Sequence, residues 1–171
     1  MDASQDKIYQ KLVNSLEDLT KLYRTLLDTV RKEKELLVAA DIEKLQENNL
    51  AKESTLAKIR ALDVTRERYA KEFAQVIGGD IDNPRLLEMA RIIQGPEAVR
   101  LRTIHSALEV LVRRTSEINK ENEQFAQTAL NTLNGAMTDI KDTLAGKKTY
   151  ARQGKMAQGP DQSGNFVSKE A

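Results

Sequence analysis

The residue types that most often carry out chemistry are few in this sequence and poorly grouped. His105 is the only histidine, and Glu109, one helical turn further on, is its only near neighbour with suitable ligand chemistry. A metal site needs three or four convergent ligands, so His105 is better interpreted as a partly exposed structural residue. The absence of cysteine excludes disulfides, thiolate metal sites and a cysteine nucleophile. We therefore expect no bound metal and no cofactor.

The carboxylates are numerous, but they alternate with basic residues along the chain. The runs at 33–35 and 67–72 are two examples. This spacing is typical of a solvated helix face with ion pairs one turn apart, rather than of a catalytic pair of carboxylates. The sequence also has no phosphate-binding loop, no glycine-rich dinucleotide turn and no nucleophilic serine motif. An enzyme is therefore the least favoured class, and we expect no catalytic residues.

The composition is that of long amphipathic helices. Hydrophobic residues make up 40% of the 171 residues, charged residues 31% and aromatic residues 4%. A net charge of +1 gives no general attraction to nucleic acid. No apolar run approaches the roughly 20 residues that span a bilayer, and the first residues lack a signal-peptide core. We therefore expect a cytoplasmic protein that neither binds nucleic acid nor inserts stably into a membrane.

Apolar residues recur at steps of three and four and predict four helices, at about residues 5–39, 42–77, 84–94 and 97–144. Asp41 is the expected N-cap of the second helix, and Gly78 its expected end. Asn83 and Pro84 are expected to begin the third helix. One or two residues connect the first two helices, which is compatible with an antiparallel hairpin or with one bent helix.

The apolar stripes of the first two helices are interrupted by polar residues. Glu33 interrupts the first stripe, and the second contains Asn49, Lys52 and Arg66. Such residues either fix the register of a coiled coil or bind a partner, and the first interpretation is favoured. The predicted fold is an all-α, elongated, antiparallel helical bundle or coiled coil of three long helices plus one short helix.

The predicted fourth helix is longer than its partners, so its end would lack cover within the chain. An uncovered apolar stripe indicates a binding partner. The sequence changes character after Leu144, where the remaining residues include five basic and two acidic side chains and no Leu or Ile. We therefore predict a helical domain at 1–145 and a flexible, disordered, basic, glycine-rich tail at 146–171, which is either a segment that orders on binding or an ordinary chain end.

Three features together resemble one protein family. The second helix contains Asp41, Leu45, Lys52, Leu56, Ile59, Leu62 and Arg66 in one recurring pattern, the last helix contains Asn119 and Asn122 within an apolar stripe, and a Tyr150-x3-Gly154 step opens the tail. In this order and spacing they look like the FlgN family of flagellar type III export chaperones. The resemblance covers residues 8 to 154.

The resemblance implies an all-helical cytosolic chaperone of the hook–filament junction proteins FlgK and FlgL. Proteins of this kind bind the C-terminal helices of these hook-associated proteins and deliver them to the export gate protein FlhA. By resemblance, Tyr150 would dock the complex on FlhA. The residues that would bind the cargo protein are Asn119, Asn122, Phe125, Leu130, Leu133, Met137, Ile140 and Leu144.

Two other functions are compatible with the same helices. A structural coiled-coil protein would use the uncovered stripe to associate with itself. A sister export chaperone would use it to bind a different flagellar subunit, because the architecture alone does not distinguish one filament-type cargo from another.

Overall fold

The computed structural model describes residues 1–145, and every regular element within them is a helix. Helix α1 spans Ala3–Ala39, α2 spans Ile42–Ile77, α3 spans Leu86–Ile93 and α4 spans Gly95–Leu144. The predicted all-α class, with three long helices and one short one, is confirmed. Helices α1 and α4 each begin slightly before the predicted residue.

The early start of α1 follows from a capping box at its N-terminus. The carboxylate of Asp2 accepts a hydrogen bond from the backbone N–H of Gln5 at 2.7 Å. The side-chain oxygen of Gln5 in turn accepts one from the backbone N–H of Asp2 at 3.0 Å. Two of the four N–H groups that a helix start leaves unpaired are thus satisfied, which stabilises the first turn.

The connection between α1 and α2 reverses the chain. Ala40 adopts a left-handed conformation with φ 52°, and Asp41 caps α2 by accepting a hydrogen bond from the N–H of Lys44 at 3.2 Å. Early residues of α2 face late residues of α1, and late residues of α2 face early residues of α1. Asn48 bonds to Thr29 and Gln5 to Val76, for example. Of the two alternatives left by the sequence, the structure selects the antiparallel hairpin.

Helix α2 ends as predicted at Gly78, whose φ of 73° suits a residue without a side chain. The predicted start of α3 is wrong. Asn83 does not cap it, since the carboxylate of Asp80 accepts the backbone N–H of Asn83 at 3.1 Å and holds this segment in a turn. The helix begins only at Leu86, after Arg85, which makes no side-chain cap.

All four helices contribute to the main core. The rings of Tyr9 and Phe73 lie 5.7 Å apart at its centre, and the Tyr9 hydroxyl donates a hydrogen bond to the backbone oxygen of Glu97 at 3.1 Å. Burial raises the pKa of Tyr9, so the hydroxyl stays protonated and keeps donating. The buried members of this core are Tyr9, Leu12, Val13, Leu16, Ala70, Phe73, Ala74, Met89, Ala90, Ala98, Leu101 and Ile104.

Helix α4 runs parallel to α1 and antiparallel to α2 within residues 1–125. The start of α4 contacts the start of α1 through Glu97 and Tyr9, and Asn122 contacts the later part of α1 through Val30. A second, smaller core of Leu19, Leu26 and Ile59 lies further along the hairpin. The predicted antiparallel bundle is therefore present in this part of the chain.

The chain divides into two compact units, Met1–Phe125 and a second one that begins at Ala126. The first contains α1, α2, α3 and α4 as far as Phe125. The described part of the second is the remainder of α4 to Leu144, followed by Ala145. The predicted boundary after residue 145 coincides with the end of the described residues and stays a prediction.

Candidate functional site

The second unit presents a row of large apolar side chains to solvent. We call this row the exposed stripe and define it as Leu130, Leu133, Met137, Ile140 and Leu144. Their exposed fractions run from 48% for Met137 to 82% for Leu144. Steps of three and four residues place all five on one side of the helix. Phe125, the last residue of the first unit, is also 48% exposed.

The residues around the first three members of the exposed stripe, Leu130, Leu133 and Met137, carry no charge for about four helical turns. No Asp, Glu, Lys or Arg occurs between Gln124 and Thr138. Ala126, Ala129 and Ala136 each lie four residues before a member of the stripe and therefore beside it on the helix surface. Depletion of charge and small residues beside large apolar ones are features of surfaces where another helix packs closely.

The two asparagines that were expected to bind cargo lie elsewhere, inside the first unit. Asn122 is only 3% exposed, and its amide nitrogen donates to the backbone oxygen of Val30 and to the Glu33 carboxylate, both at 2.9 Å. Asn119 is half-buried, and its side-chain oxygen accepts a hydrogen bond from Lys52. In this structure, both side chains bond within the chain, and their part in cargo binding stays a prediction.

Glu33, Lys52, Asn119 and Asn122 form one hydrogen-bonded group, which we call the polar cluster. The Lys52 ammonium contacts the two oxygens of the Glu33 carboxylate at 2.8 and 3.1 Å. The side chains of Lys52 and Glu33 are only 19% and 12% exposed. The cluster thus joins α1, α2 and α4 at one level of the bundle, with its positive and negative charges paired out of water.

One further hydrogen bond extends the polar cluster, and another joins α1 and α2 about one helical turn away from it. The amide nitrogen of Asn119 donates to the Glu123 carboxylate at 2.7 Å, and that of Asn48 donates to the backbone oxygen of Thr29 at 3.2 Å. The side-chain oxygen of Asn122 is buried and has no hydrogen-bond partner. An unpaired buried acceptor costs free energy, so the cluster reduces stability compared with an apolar layer of similar shape.

An open groove of about 420 Å³ lies beside the polar cluster. Its floor is apolar, with Leu26, Val30 and Leu56, and Lys52 and Asn119 form its polar edge. Tyr23 also lines the groove, and burial raises the pKa of its phenol, so the hydroxyl is neutral at physiological pH.

His105 lies on α4 at the edge of a second open groove. The side chain is half-buried and lines a groove of about 610 Å³ with Leu86, Leu108 and Glu109. Among residues 1–145, no three side chains of His, Asp or Glu lie close enough together to hold a metal ion. In the same range, no helix has the length and apolar character that crossing a bilayer requires.

Comparison with known proteins identifies the family. Residues 1–158 match the family model described as FlgN protein. This chain belongs to the FlgN family. Members of this family are flagellar export chaperones, which bind flagellar subunits before their export. No curated protein and no solved structure gives a match.

Within residues 1–145, the residues that carry the FlgN resemblance do not all lie in one place. Lys52, Asn119 and Asn122 come from two helices and meet in the polar cluster. Arg66 lies outside it and donates to Asp63 of its own helix at 2.7 Å. Tyr150, the predicted docking residue, lies outside the described residues. Two of the motifs that the sequence places on separate helices are therefore parts of one hydrogen-bonded group.

Sequence reasoning misjudged two neighbouring residues of α2 close to the polar cluster. Asn49 was expected on the inner face of α2, but it is exposed, and Asn48 faces α1 instead. Adjacent helical residues differ by about 100° in direction, and the apolar pattern near them is too sparse to choose between the two. Glu33 was visible as a charge within an apolar stripe, which is the pattern that a buried ion pair leaves in a sequence.

Proposed function

We propose that this FlgN-family chaperone binds hook–filament junction proteins of the FlgK and FlgL type in the cytoplasm. The exposed stripe of α4 packs against the C-terminal helix of the cargo and thereby prevents premature assembly. The complex is then delivered to the export gate protein FlhA. The observation that carries the proposal is the exposure of Leu130, Leu133, Met137, Ile140 and Leu144 on one side of α4, the first three of them in a stretch without charged residues.

The chemistry of the exposed stripe suits a helical cargo. A filament subunit that waits for export carries a helical end whose apolar face would otherwise pair with other subunits. A second helix with apolar residues at steps of three and four can cover that face by side-chain packing. The uncharged surroundings mean that few ionised groups lose water when the two helices meet.

The expected affinity suits a cargo that must be released again. Burying four or five such side chains contributes on the order of 5–10 kcal/mol before the cost of ordering is subtracted. Dissociation constants in the range from about micromolar to about nanomolar correspond to net values of about 8–12 kcal/mol, so the apolar contacts need support from polar contacts at the edge. Asn131, Asn134 and Thr138, on the flanking face, can supply such contacts.

Charged substitutions in the exposed stripe test this proposal. We expect the triple variant Leu133→Glu, Met137→Glu, Ile140→Glu to weaken binding of a purified FlgK- or FlgL-type C-terminal helix by at least about 100-fold, since three carboxylates would face an apolar surface. Titration calorimetry measures the affinity. Thermal unfolding followed by circular dichroism should remain unchanged, because these side chains are already exposed.

The matched control places the same charges on the other side of the same helical stretch. The variant Thr128→Glu, Thr132→Glu, Gly135→Glu should keep its affinity within about threefold, because these positions lie on the face of the helix that points away from the exposed stripe. Equal loss of binding in both variants would contradict the proposal. So would unfolding of the stripe variant, since the stripe would then belong to the core.

Sedimentation of the unmodified chain distinguishes the rival functions. A tight oligomer that protects the exposed stripe at all concentrations would favour the structural coiled coil. Binding to another flagellar subunit, but not to FlgK- or FlgL-type helices, would favour the sister chaperone.

A further inference from the structure

The polar cluster occupies an unusual place in the apolar pattern of α4. Before it, the stripe residues Leu101 and Ile104 are buried in the core. After it, Leu130 and its successors are exposed. Between them, Leu108 still packs against both cores, and the inward residues that follow include Thr115, Asn119 and Asn122. The polar residues therefore separate the covered apolar segment of this helix from the uncovered one.

Each contact of the polar cluster requires a residue from a particular level of another helix. The carboxylate of Glu33 on α1 accepts from Lys52 on α2 and from Asn122 on α4, with distances of 2.8 and 2.9 Å. Displacing any one helix by a heptad would leave charged or amide groups facing apolar side chains. Buried polar groups of this kind destabilise every arrangement in which they are unpaired and so select one pairing of helices.

An apolar layer in the same place would not favour one pairing of helices over another. The exposed stripe repeats at the same steps of three and four as the core residues of α4, so it could pair equally well with a helix of a second copy. Self-association of that kind would cover the surface that the proposed function leaves open. Monomeric chains with an accessible stripe therefore need a feature that makes the alternative pairings unfavourable.

We propose that the Glu33–Lys52–Asn119–Asn122 cluster is that feature. It acts as a positioning group that keeps the chain monomeric and the exposed stripe accessible, at some cost in stability. The proposal rests on the proposed function only in taking the exposed stripe to be the cargo-binding surface. It is tested without any cargo.

The test replaces the whole cluster with apolar residues of similar size. In the variant Glu33→Leu, Lys52→Met, Asn119→Leu, Asn122→Leu we expect a higher melting temperature, because the buried ion pair and the unpaired side-chain oxygen of Asn122 are removed. We also expect concentration-dependent oligomers in sedimentation velocity, whereas the unmodified chain stays monomeric. A purely structural cluster would give a change in melting temperature without a change in association.

Accessibility of the stripe is measured with a single cysteine, since the chain has none of its own. Met137→Cys is introduced into both backgrounds and labelled with a maleimide. Labelling of the cluster variant should slow by about tenfold at concentrations where it associates. A tenfold slower rate means that the stripe is covered in about nine-tenths of the chains. In the unmodified background the rate should not depend on protein concentration.

The control removes a surface ion pair next to the cluster that joins two of its three helices, α1 and α4. Lys34 and Glu121 are 2.7 Å apart with side chains 55% and 56% exposed. The variant Lys34→Met, Glu121→Leu adds apolar surface of the same kind and should stay monomeric with rapid labelling. Association of this control to the same extent would overturn the proposal, because general stickiness would explain both results.

Three other outcomes would also overturn it. The cluster variant could remain monomeric with Met137→Cys labelled at the unmodified rate. It could lose its helical circular dichroism, which would make the cluster necessary for folding. The unmodified chain could itself be an oligomer with a protected stripe. A failure of cargo binding would leave all these measurements unaffected. An oligomer of the unmodified chain with a protected stripe would count against both proposals, and the other outcomes concern this proposal alone.

Discussion

At the scale of single residues, burial decides how much an ion pair contributes to the stability of the fold. The Lys52–Glu33 pair is largely removed from water and takes part in further hydrogen bonds to Asn119 and Asn122. The Lys34–Glu121 pair has an equally short distance of 2.7 Å, but both side chains are more than half exposed. Water and salt screen the second pair and not the first. Two contacts with similar geometry are thus expected to differ several-fold in their effect on stability.

Truncation of each lysine measures this difference. Lys52→Ala should lower the free energy of unfolding by about 3 kcal/mol, because the Glu33 carboxylate is then buried without a counter-charge. Lys34→Ala should lower it by less than about 1 kcal/mol. Urea denaturation followed by circular dichroism gives both values. Equal losses would mean that the polar cluster is accessible to water and cannot select a helix pairing.

At the scale of the elements, local capping sets where the helices begin and end. Asp41 caps α2 through the N–H of Lys44 and also accepts a hydrogen bond from the ammonium group of the same residue at 2.9 Å. The hydrogen bond from the Lys44 side chain holds the pKa of Asp41 below its usual value, and the bond from the Lys44 backbone N–H contributes to a smaller extent. A depressed carboxyl pKa stabilises the fold above the ordinary pKa of the group, and that contribution is lost as the pH falls through the folded pKa.

The variant Asp41→Asn isolates this contribution, because asparagine caps a helix equally well but does not titrate. We expect the unmodified chain to be the more stable of the two near neutral pH. The difference between the urea midpoints of the unmodified chain and the variant should become smaller as the pH is lowered from about 6 to about 2, because the aspartate becomes protonated in this range. A gap that stays constant over this range would show that the charge of Asp41 does not stabilise α2.

At the scale of the whole molecule, the chain combines a packed unit with a helical segment whose large apolar side chains are exposed. Residues 1–125 contain both apolar cores and the polar cluster. The second unit contains the exposed stripe and continues into the segment with Tyr150. If cargo binding and gate docking use different segments, a change in one should leave the other intact.

The substitution Tyr150→Ala tests this separation. Binding of the chaperone–cargo complex to the cytoplasmic part of FlhA should weaken by at least about tenfold, as is typical when an aromatic anchor is lost from an interface. Cargo affinity should not change, because the exposed stripe remains. Gln153→Ala in the same segment serves as the control, and both affinities are read by calorimetry. Unchanged gate binding in the tyrosine variant would exclude the docking role.

The sequence by itself determined the helices, most of their ends and the presence of an apolar stripe near the end of α4. These features depend on contacts within a few residues, such as the cap that Asp41 provides for α2 and the glycine that ends it. Both bounds of α2 were therefore predictable. The start of α3 was not, because the carboxylate of Asp80 captured the N–H of the expected cap, Asn83, and two local patterns competed for the same residues.

Only the tertiary structure decided which polar residues meet and which apolar ones are left uncovered. Glu33 and Asn122 are 89 positions apart, yet the Asn122 amide lies 2.9 Å from the carboxylate. Their meeting depends on the rotation and register of three helices, which no local pattern contains. The same is true of Asn48, which faces α1 in place of its neighbour Asn49. The family resemblance placed Asn119 and Asn122 in the same cargo-binding stretch as Leu133, and only the tertiary structure showed that Asn122 is buried and Leu133 exposed.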